Sequence, residues 1–265
     1  MGFYPVFGMK SMSLEALIFD VDGTLADTER DGHRVAFNRA FAETGLDWVW
    51  GEGLYAGLLQ VTGGKERIRH YVQNHHQDLA ASKSFAEMVP RLHALKTRHY
   101  TVLLESGAIP LRPGVERLLR EAREHGLRLA IATTTTPGNV EALLSYTLGG
   151  EAMSWFEVIA AGDIVPKKKP AADIYHYVLA GMNISACDCL AFEDSGPGLR
   201  SSLGAGLKTV ITVNGYTRDQ DFQGSTIVLD HMGEPDYPFS VLSPHTVNGH
   251  QYLDIKMLQE LYSVP

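Results

Sequence analysis

Cysteine is scarce in this chain: of 265 residues, only Cys187 and Cys189 carry a thiol. One residue apart, they are too close for an ordinary disulfide, and alone they make no zinc site. They read as packing at the start of a strand, and such sparing use of cysteine suits a reducing cytoplasm. Long apolar runs are lacking too, so no segment of the sequence reads as a membrane span. The stretch from Met1 to Ser13 has no basic region followed by an apolar one and does not read as a secretory signal. Met9 and Met12 offer alternative starts, so residues 1–12 are expected to be a tail outside the fold.

Positive charge is in deficit. Twenty-three Lys and Arg face 31 Asp and Glu, for a net charge of -8 and a pI near 5.7. General nucleic-acid binding needs clustered cations and is not expected here. An anionic small molecule can still be bound where a few cations converge in one cleft. Internal repeats and low-complexity segments are also missing. The expected partner is therefore a small molecule, with no nucleic acid and no membrane, and the chain is taken as a monomer.

What is present is a run of apolar segments that end abruptly in polar residues. Leu14–Asp20 reads LEALIFD, a buried strand feeding a polar loop. A helical pattern follows, with His33, Ala36, Phe37, Ala40 and Phe41 on one face. Further helices are expected over Leu54–Gln60, Lys65–Asn74 and Ser84 to about Leu104, and no strand is expected between Asp31 and Leu104. Trp48 and Trp50 read as packing within this block, and His75-His76 as surface. Pro113 marks the start of the next helix, and Gly126 its end. Strands at Leu127–Ala132, Phe156–Ala160, Leu190–Phe192 and Thr209–Val213 then alternate with helices from about Gly138, over Asp173–Met182 and over Gly198–Leu203. Such alternation predicts an α/β fold, a Rossmann-like parallel sheet core with an inserted all-helical block. The core is expected over 13–28 and 110–265 and the helical block over 29–109. The stretch after about Val228 carries no clear pattern.

Chemistry gathers at the strand ends. Asp20-Val21-Asp22-Gly23-Thr24-Leu25 puts two carboxylates on a turn after the first strand, where they can face one site. Alone, this motif could be a plain turn. It is not alone. Thr133-Thr134-Thr135 offers hydroxyls and backbone N–H groups ahead of a helix, which suits a phosphate and equally suits helix capping. Lys169 can return to the site through the loop after Phe156–Ala160, whereas Lys167 and Lys168 read as a solvated patch. Glu193-Asp194 ends another apolar strand, where acids are costly unless a cation is near. Hard oxygen ligands of this kind select Mg²⁺.

In this order, the four motifs resemble the haloacid-dehalogenase-like phosphotransferase superfamily, with the helical block matching its inserted cap. The resemblance implies that Asp20 is a nucleophile that becomes an aspartyl phosphate. It implies that Asp22 is the general acid and then the base, and that Thr133 and Lys169 hold the transferring phosphoryl group. Mg²⁺ would be held by Asp20, the Asp22 backbone carbonyl and Asp194, with Glu193 a direct ligand or one step removed.

Cap motifs narrow the likeness. Glu29, Asp31-Gly32-His33-Arg34, Phe37-Asn38, Gly63-Gly64-Lys65-Glu66-Arg67, Pro166–Pro170 and Gly215-Tyr216-Thr217 resemble the CbbY-type phosphatases. That group is associated with xylulose-1,5-bisphosphate, an inhibitor of Rubisco, which implies a sugar bisphosphate as substrate. Gly63 and Gly64 would let the backbone approach a ligand. Lys65 and Arg67 would bind a second phosphate or serve as ordinary helix-end charges. Glu29 and His33 would contact sugar hydroxyls, with a structural histidine the other reading for His33. Thr134 and Thr135 would assist Thr133. A phosphoglucomutase-like isomerase of the same fold would use the same Asp20 and Asp22.

Overall fold

The computed structural model describes residues 13–263 apart from 62, 244–246 and 248. Its centre is a six-stranded, all-parallel sheet in the order β3-β2-β1-β4-β5-β6. The strands are β1 (Ala16–Phe19), β2 (Arg128–Ala132), β3 (Phe156–Ala160), β4 (Cys189–Glu193), β5 (Lys208–Thr212) and β6 (Ile227–Leu229). The chain leaves β1 toward β2 on one side and returns to β4 on the other. That reversal opens a crevice beyond the carboxyl ends of β1 and β4, the place where open parallel sheets bind ligands.

Each strand alternates its side chains between two faces. Leu17, Phe19, Leu129, Ile131, Leu190 and Phe192 point to one face and join the main core, with Phe19 stacked on Phe192 at 4.5 Å between ring centroids. The other face is lined by small residues, Ala16, Ala130, Ala132 and Ala191. They let α8 (Asp173–Met182) lie close, burying Ile174, Tyr175 and Val178. Helix α6 (Val115–Glu124) covers the bulky face with Val115, Leu118, Leu119 and Ala122.

Between β1 and α6 the chain is helical. A π-helical turn over Thr28–His33 leads into α1 (Arg34–Glu43), α2 (Glu52–Leu58), α3 (Gly64–His75), α4 (Gln77–Ala80) and α5 (Lys83–Glu105). These helices share an aromatic core built on Phe37, Phe41, Trp48, Trp50, Tyr55 and Tyr71. The distal half of α5 joins the sheet instead, through Tyr100, Leu103 and Leu104. The two connections into this block run side by side. Ala26 bridges Leu111, and the Arg112 N–H donates to the Leu25 carbonyl at 2.8 Å.

Several expectations are corrected in detail. Pro113 precedes its helix by two positions, because Gly114, left-handed at φ 86°, is the N-cap. His76 is half-buried rather than on the surface, and it stacks on Trp48 at 5.1 Å. The unassigned tail carries β6 and a last helix, α10 (Ile255–Ser263), which buries Ile255, Leu258 and Leu261. The remaining helices are α7 (Pro137–Leu148) and α9 (Gly196–Gly204).

Candidate active site

The register of β1 with its two neighbours sets the site. Phe19 pairs with Ile131 on one side and Phe192 on the other, so the next residues along all three strands converge. Asp20, Glu193 and Asp194 are buried there, and one carboxylate oxygen from each lies within 4.8 Å of the others. Lys169, arriving from the loop after β3, sits between them. Its Nζ is 2.6 Å from Asp20 Oδ1 and 2.6 Å from Glu193 Oε1, and it donates to the Ala132 carbonyl at 2.9 Å. Thr133, fully buried, is the next residue after that carbonyl. The structure thus brings Asp20, Lys169, Glu193 and Asp194 together, with Thr133 next along the chain from the Ala132 carbonyl that Lys169 meets.

The electrostatics are those of an anion cluster short of positive charge. Burial pushes the Glu193 carboxyl up to about 7, with Lys169 opposing the rise and Asp20 adding to it. Burial, Asp20 and Glu193 raise Asp194 well above the carboxylate range. Like charges this close favour protonation unless a cation joins them. Three hard carboxylate oxygens on one crevice floor therefore fit a divalent cation of the Mg²⁺ kind.

Asp22 has a different environment. It is half-buried beside the cap connection, and the Thr28 hydroxyl donates to its Oδ1 at 2.6 Å. Desolvation raises its carboxyl to about 7, with the Thr28 bond opposing and the Asp20 charge assisting. A carboxyl near neutrality can both give and take a proton. Two motif glycines are needed for packing. Gly23 has φ 90°, and a Cβ there would stand 2.3 Å from Asp194 Oδ2. A Cβ on Gly198 would lie 1.8 Å from Glu193 Oε2, so the first turn of α9 is seated directly on that carboxylate.

The sequence did not point to several supporting side chains. Tyr175 donates to Glu193 Oε1 at 2.6 Å, and Asn214 Nδ2 donates to Asp194 Oδ2 at 2.7 Å. Buried Arg112 donates to the carbonyls of Gly23, Thr212 and Asp230, pinning the motif loop to the end of β5. Lys96 is also buried, with Nζ 2.8 Å from His33 Nδ1 and close to the Phe37 and Tyr100 rings. A signal for Lys96 existed: it interrupts the apolar stripe Phe85, Val89, Leu92, Tyr100 on α5.

The residues expected to read the substrate are spread more widely. Glu29 accepts from the Tyr55 hydroxyl at 2.6 Å and pairs with Arg67 at 3.5 Å. Arg67 also donates to the Val61 carbonyl, so its charge is already shared within the cap. Lys65 is exposed on the first turn of α3 and has no side-chain partner among the described residues. Gly64 backs onto His93, whose ring would meet a Cβ at 2.8 Å. Burial and Lys96 push His33 well below its usual value, so it is a neutral acceptor for the Lys96 ammonium. Thr134 is exposed. Thr135 is buried, with its hydroxyl accepting from Asn139 Nδ2, and capping of α7 falls to Thr136. A cavity of about 210 Å³ opens between α2 and the loop after β5, with Asp22, Glu29, Asp194, Asn214 and Tyr216 among its lining residues.

This arrangement is that of a hydrolase built on a parallel sheet, with its chemistry at the strand ends and a helical cover. The haloacid dehalogenase-like hydrolase family matches residues 14–206, and the chain belongs to it. Its relatives place it among the CbbY-type phosphatases. Protein CbbY encoded on a plasmid of Cupriavidus necator is 47% identical over 248 residues, spanning 93% of this chain and 96% of that protein. The crystal structure of CbbY from Rhodobacter sphaeroides in complex with phosphate is 44% identical, with a TM-score of 0.70 over 82% of this chain and 94% of that one. A mutant of that protein, in complex with xylulose-1,5-bisphosphate, is similar to the same degree, again 44% identical with a TM-score of 0.70.

Proposed function

We propose that this phosphatase is a Mg²⁺-dependent hydrolase of a sugar bisphosphate, with xylulose-1,5-bisphosphate the substrate to test first. The observation that carries the reading is the buried cluster of Asp20, Glu193 and Asp194 braced by Lys169 at the mouth of β1 and β4. The choice of sugar rests on the likeness to CbbY of Rhodobacter sphaeroides, whose mutant binds that compound. The catalytic body is taken as residues 13–28 with 110–265, the cap as 29–109, and the enzyme as a cytoplasmic monomer.

The chain's own groups suffice to write the proton and bond changes. An Asp20 oxygen attacks phosphorus, the bond from phosphorus to the sugar oxygen breaks, and Asp22 gives its proton to that oxygen. Asp22, now a carboxylate, takes a proton from water as the water attacks the aspartyl phosphate, which releases phosphate and frees Asp20. Splitting the transfer into two steps compensates for the weak nucleophilicity of a carboxylate. Lys169 and Thr133 hold the phosphoryl oxygens and offset their charge. Mg²⁺, held by Asp20, the Asp22 carbonyl and Asp194 with Glu193 beside them, would supply charge neutralisation and orientation of the phosphoryl group.

The test is phosphate release from xylulose-1,5-bisphosphate and from sugar monophosphates, with analysis of the sugar product. Free phosphate with preference for the bisphosphate is expected. An isomerised sugar phosphate without net phosphate release would instead make the enzyme a mutase.

A further inference from the structure

The cap's aromatic core contains one residue from outside it. Every other member of that cluster, among the described residues, lies between Phe37 and Leu92; Tyr216 comes from the loop after β5. Its ring meets Tyr55 edge-on, with centroids 5.9 Å apart. The Tyr216 hydroxyl is buried and lies beside the Arg34 guanidinium. The well-formed join between the two parts here is the ring, packed edge-on against Tyr55 within the cap cluster.

The loop behind the ring is firmly set. Asn214 Oδ1 accepts from the Tyr216 N–H at 2.9 Å, while Asn214 Nδ2 donates to Asp194 Oδ2 at 2.7 Å. The Thr217 hydroxyl accepts from the Asn214 N–H at 3.0 Å. On the cap side, Tyr55 donates to Glu29, which pairs with Arg67. Asn214, Tyr216 and Glu29 all line the cavity that reaches Asp22 and Asp194. One short path of contacts thus runs from the acid cluster to the cap residues facing the cavity.

We infer that Tyr216 is a positioning residue, the latch by which the catalytic body holds the cap over the bound sugar phosphate. The ring seals the seam between α2 and the loop after β5. A substrate that spans from the acid cluster to the cap depends on this latch, whereas a small phosphate compound such as acetyl phosphate reaches only the acid cluster. This rests on the function proposed above for the substrate arm of its test, and on geometry alone for the other arm.

The experiment compares Tyr216→Ala and Tyr216→Phe in the full chain. Amide hydrogen exchange without substrate is followed in the connections at 26–28 and 109–113 and in α2, with β1 and β4 as the control for global folding. KM and kcat are measured for xylulose-1,5-bisphosphate and for acetyl phosphate. Losing an edge-on aromatic contact and its buried area should shift the open population on the order of tenfold. Tyr216→Ala should therefore speed exchange in the connections and α2 about tenfold, leave β1 and β4 protected, and raise KM for the bisphosphate about tenfold with kcat and the acetyl phosphate constants changing far less. Tyr216→Phe should match wild type in both measurements. Unchanged exchange in Tyr216→Ala overturns the latch, and so does a Tyr216→Phe variant as open as Tyr216→Ala. Should the bisphosphate prove not to be a substrate, the exchange arm still decides the latch, so the two ideas fail separately.

Discussion

The Lys169 ammonium bonds the Asp20 carboxylate at 2.6 Å, and the same nitrogen reaches Glu193. One side chain thus supports the acid expected to attack phosphorus and the acid behind it. The two carboxylates and burial act on Lys169 in opposite senses, and the carboxylates win, so it stays charged at every working pH. Lys169→Met should leave three crowded carboxylates without their cation. Loss of a preorganised charge of this kind costs about 10²–10³ in kcat. Steady-state kinetics at saturating Mg²⁺ checks this, and a loss of less than threefold would remove Lys169 from the phosphoryl site.

A second cation behaves oppositely. Desolvation lowers Lys96 to about 8, with Arg67 adding to the drop and Glu29 and Asp22 resisting it. Between about 8 and the usual 10.5, the unfolded chain binds a proton there that the folded chain does not. Stability should therefore rise as pH rises through this window, by up to roughly 3 kcal/mol at about 1.4 kcal/mol per pH unit. Lys96→Met should flatten this contribution. Urea unfolding at pH 7.5, 9 and 10.5 measures it, and equal pH slopes for the two proteins would contradict the assignment.

Gly198→Ala places a methyl group 1.8 Å from Glu193 Oε2. Either the first turn of α9 or the carboxylate must move. Overpacking of this kind typically costs about 1–3 kcal/mol. The variant should lose stability and need more Mg²⁺ for half-maximal activity. Thermal melts and a Mg²⁺ titration read the two effects, and wild-type values in both would mean that Glu193 is not held by this contact.

Lys65 and Arg67 should divide in their effects. Lys65 is exposed and unpaired among the described residues, whereas Arg67 is tied to Glu29 and Tyr55. A charge-assisted hydrogen bond is worth roughly 1.5–3 kcal/mol. Lys65→Ala should cost about tenfold to a hundredfold in kcat/KM for the bisphosphate, with acetyl phosphate little changed. Arg67→Ala should also release Glu29 and lower the melting temperature. Equal losses on both substrates for Lys65→Ala would make Lys65 a structural charge.

The sheet was legible because its strands are short apolar runs cut off by charge, as in LEALIFD before Val21 and LAFED at Asp194. The same cut-offs mark the crevice through Asp20, Glu193 and Asp194, and the loop after Phe156–Ala160 is long enough to bring Lys169 to them. What escaped was of another kind. β6 is three residues long, too short to carry a period. α10 follows a Pro- and Gly-rich stretch that hides its Ile255, Leu258, Leu261 stripe. Asn214 and Arg112 act through partners remote in sequence, and no local pattern announces such contacts. Arg67 was visible as a cation, but its pairing with Glu29 depends on how the π-helical turn meets α3.

The central claim is that Asp20 carries the phosphoryl group, and trapping that species tests it most directly. Enzyme mixed with ³²P-labelled xylulose-1,5-bisphosphate and quenched in acid within milliseconds should retain label. The label should be released by hydroxylamine, as an acyl phosphate is, and should map to the peptide containing Asp20. Asp20→Asn should fold, bind substrate and retain no label, because an amide cannot attack phosphorus. Label absent from wild type during turnover, or near-wild-type turnover by Asp20→Asn, would contradict the account.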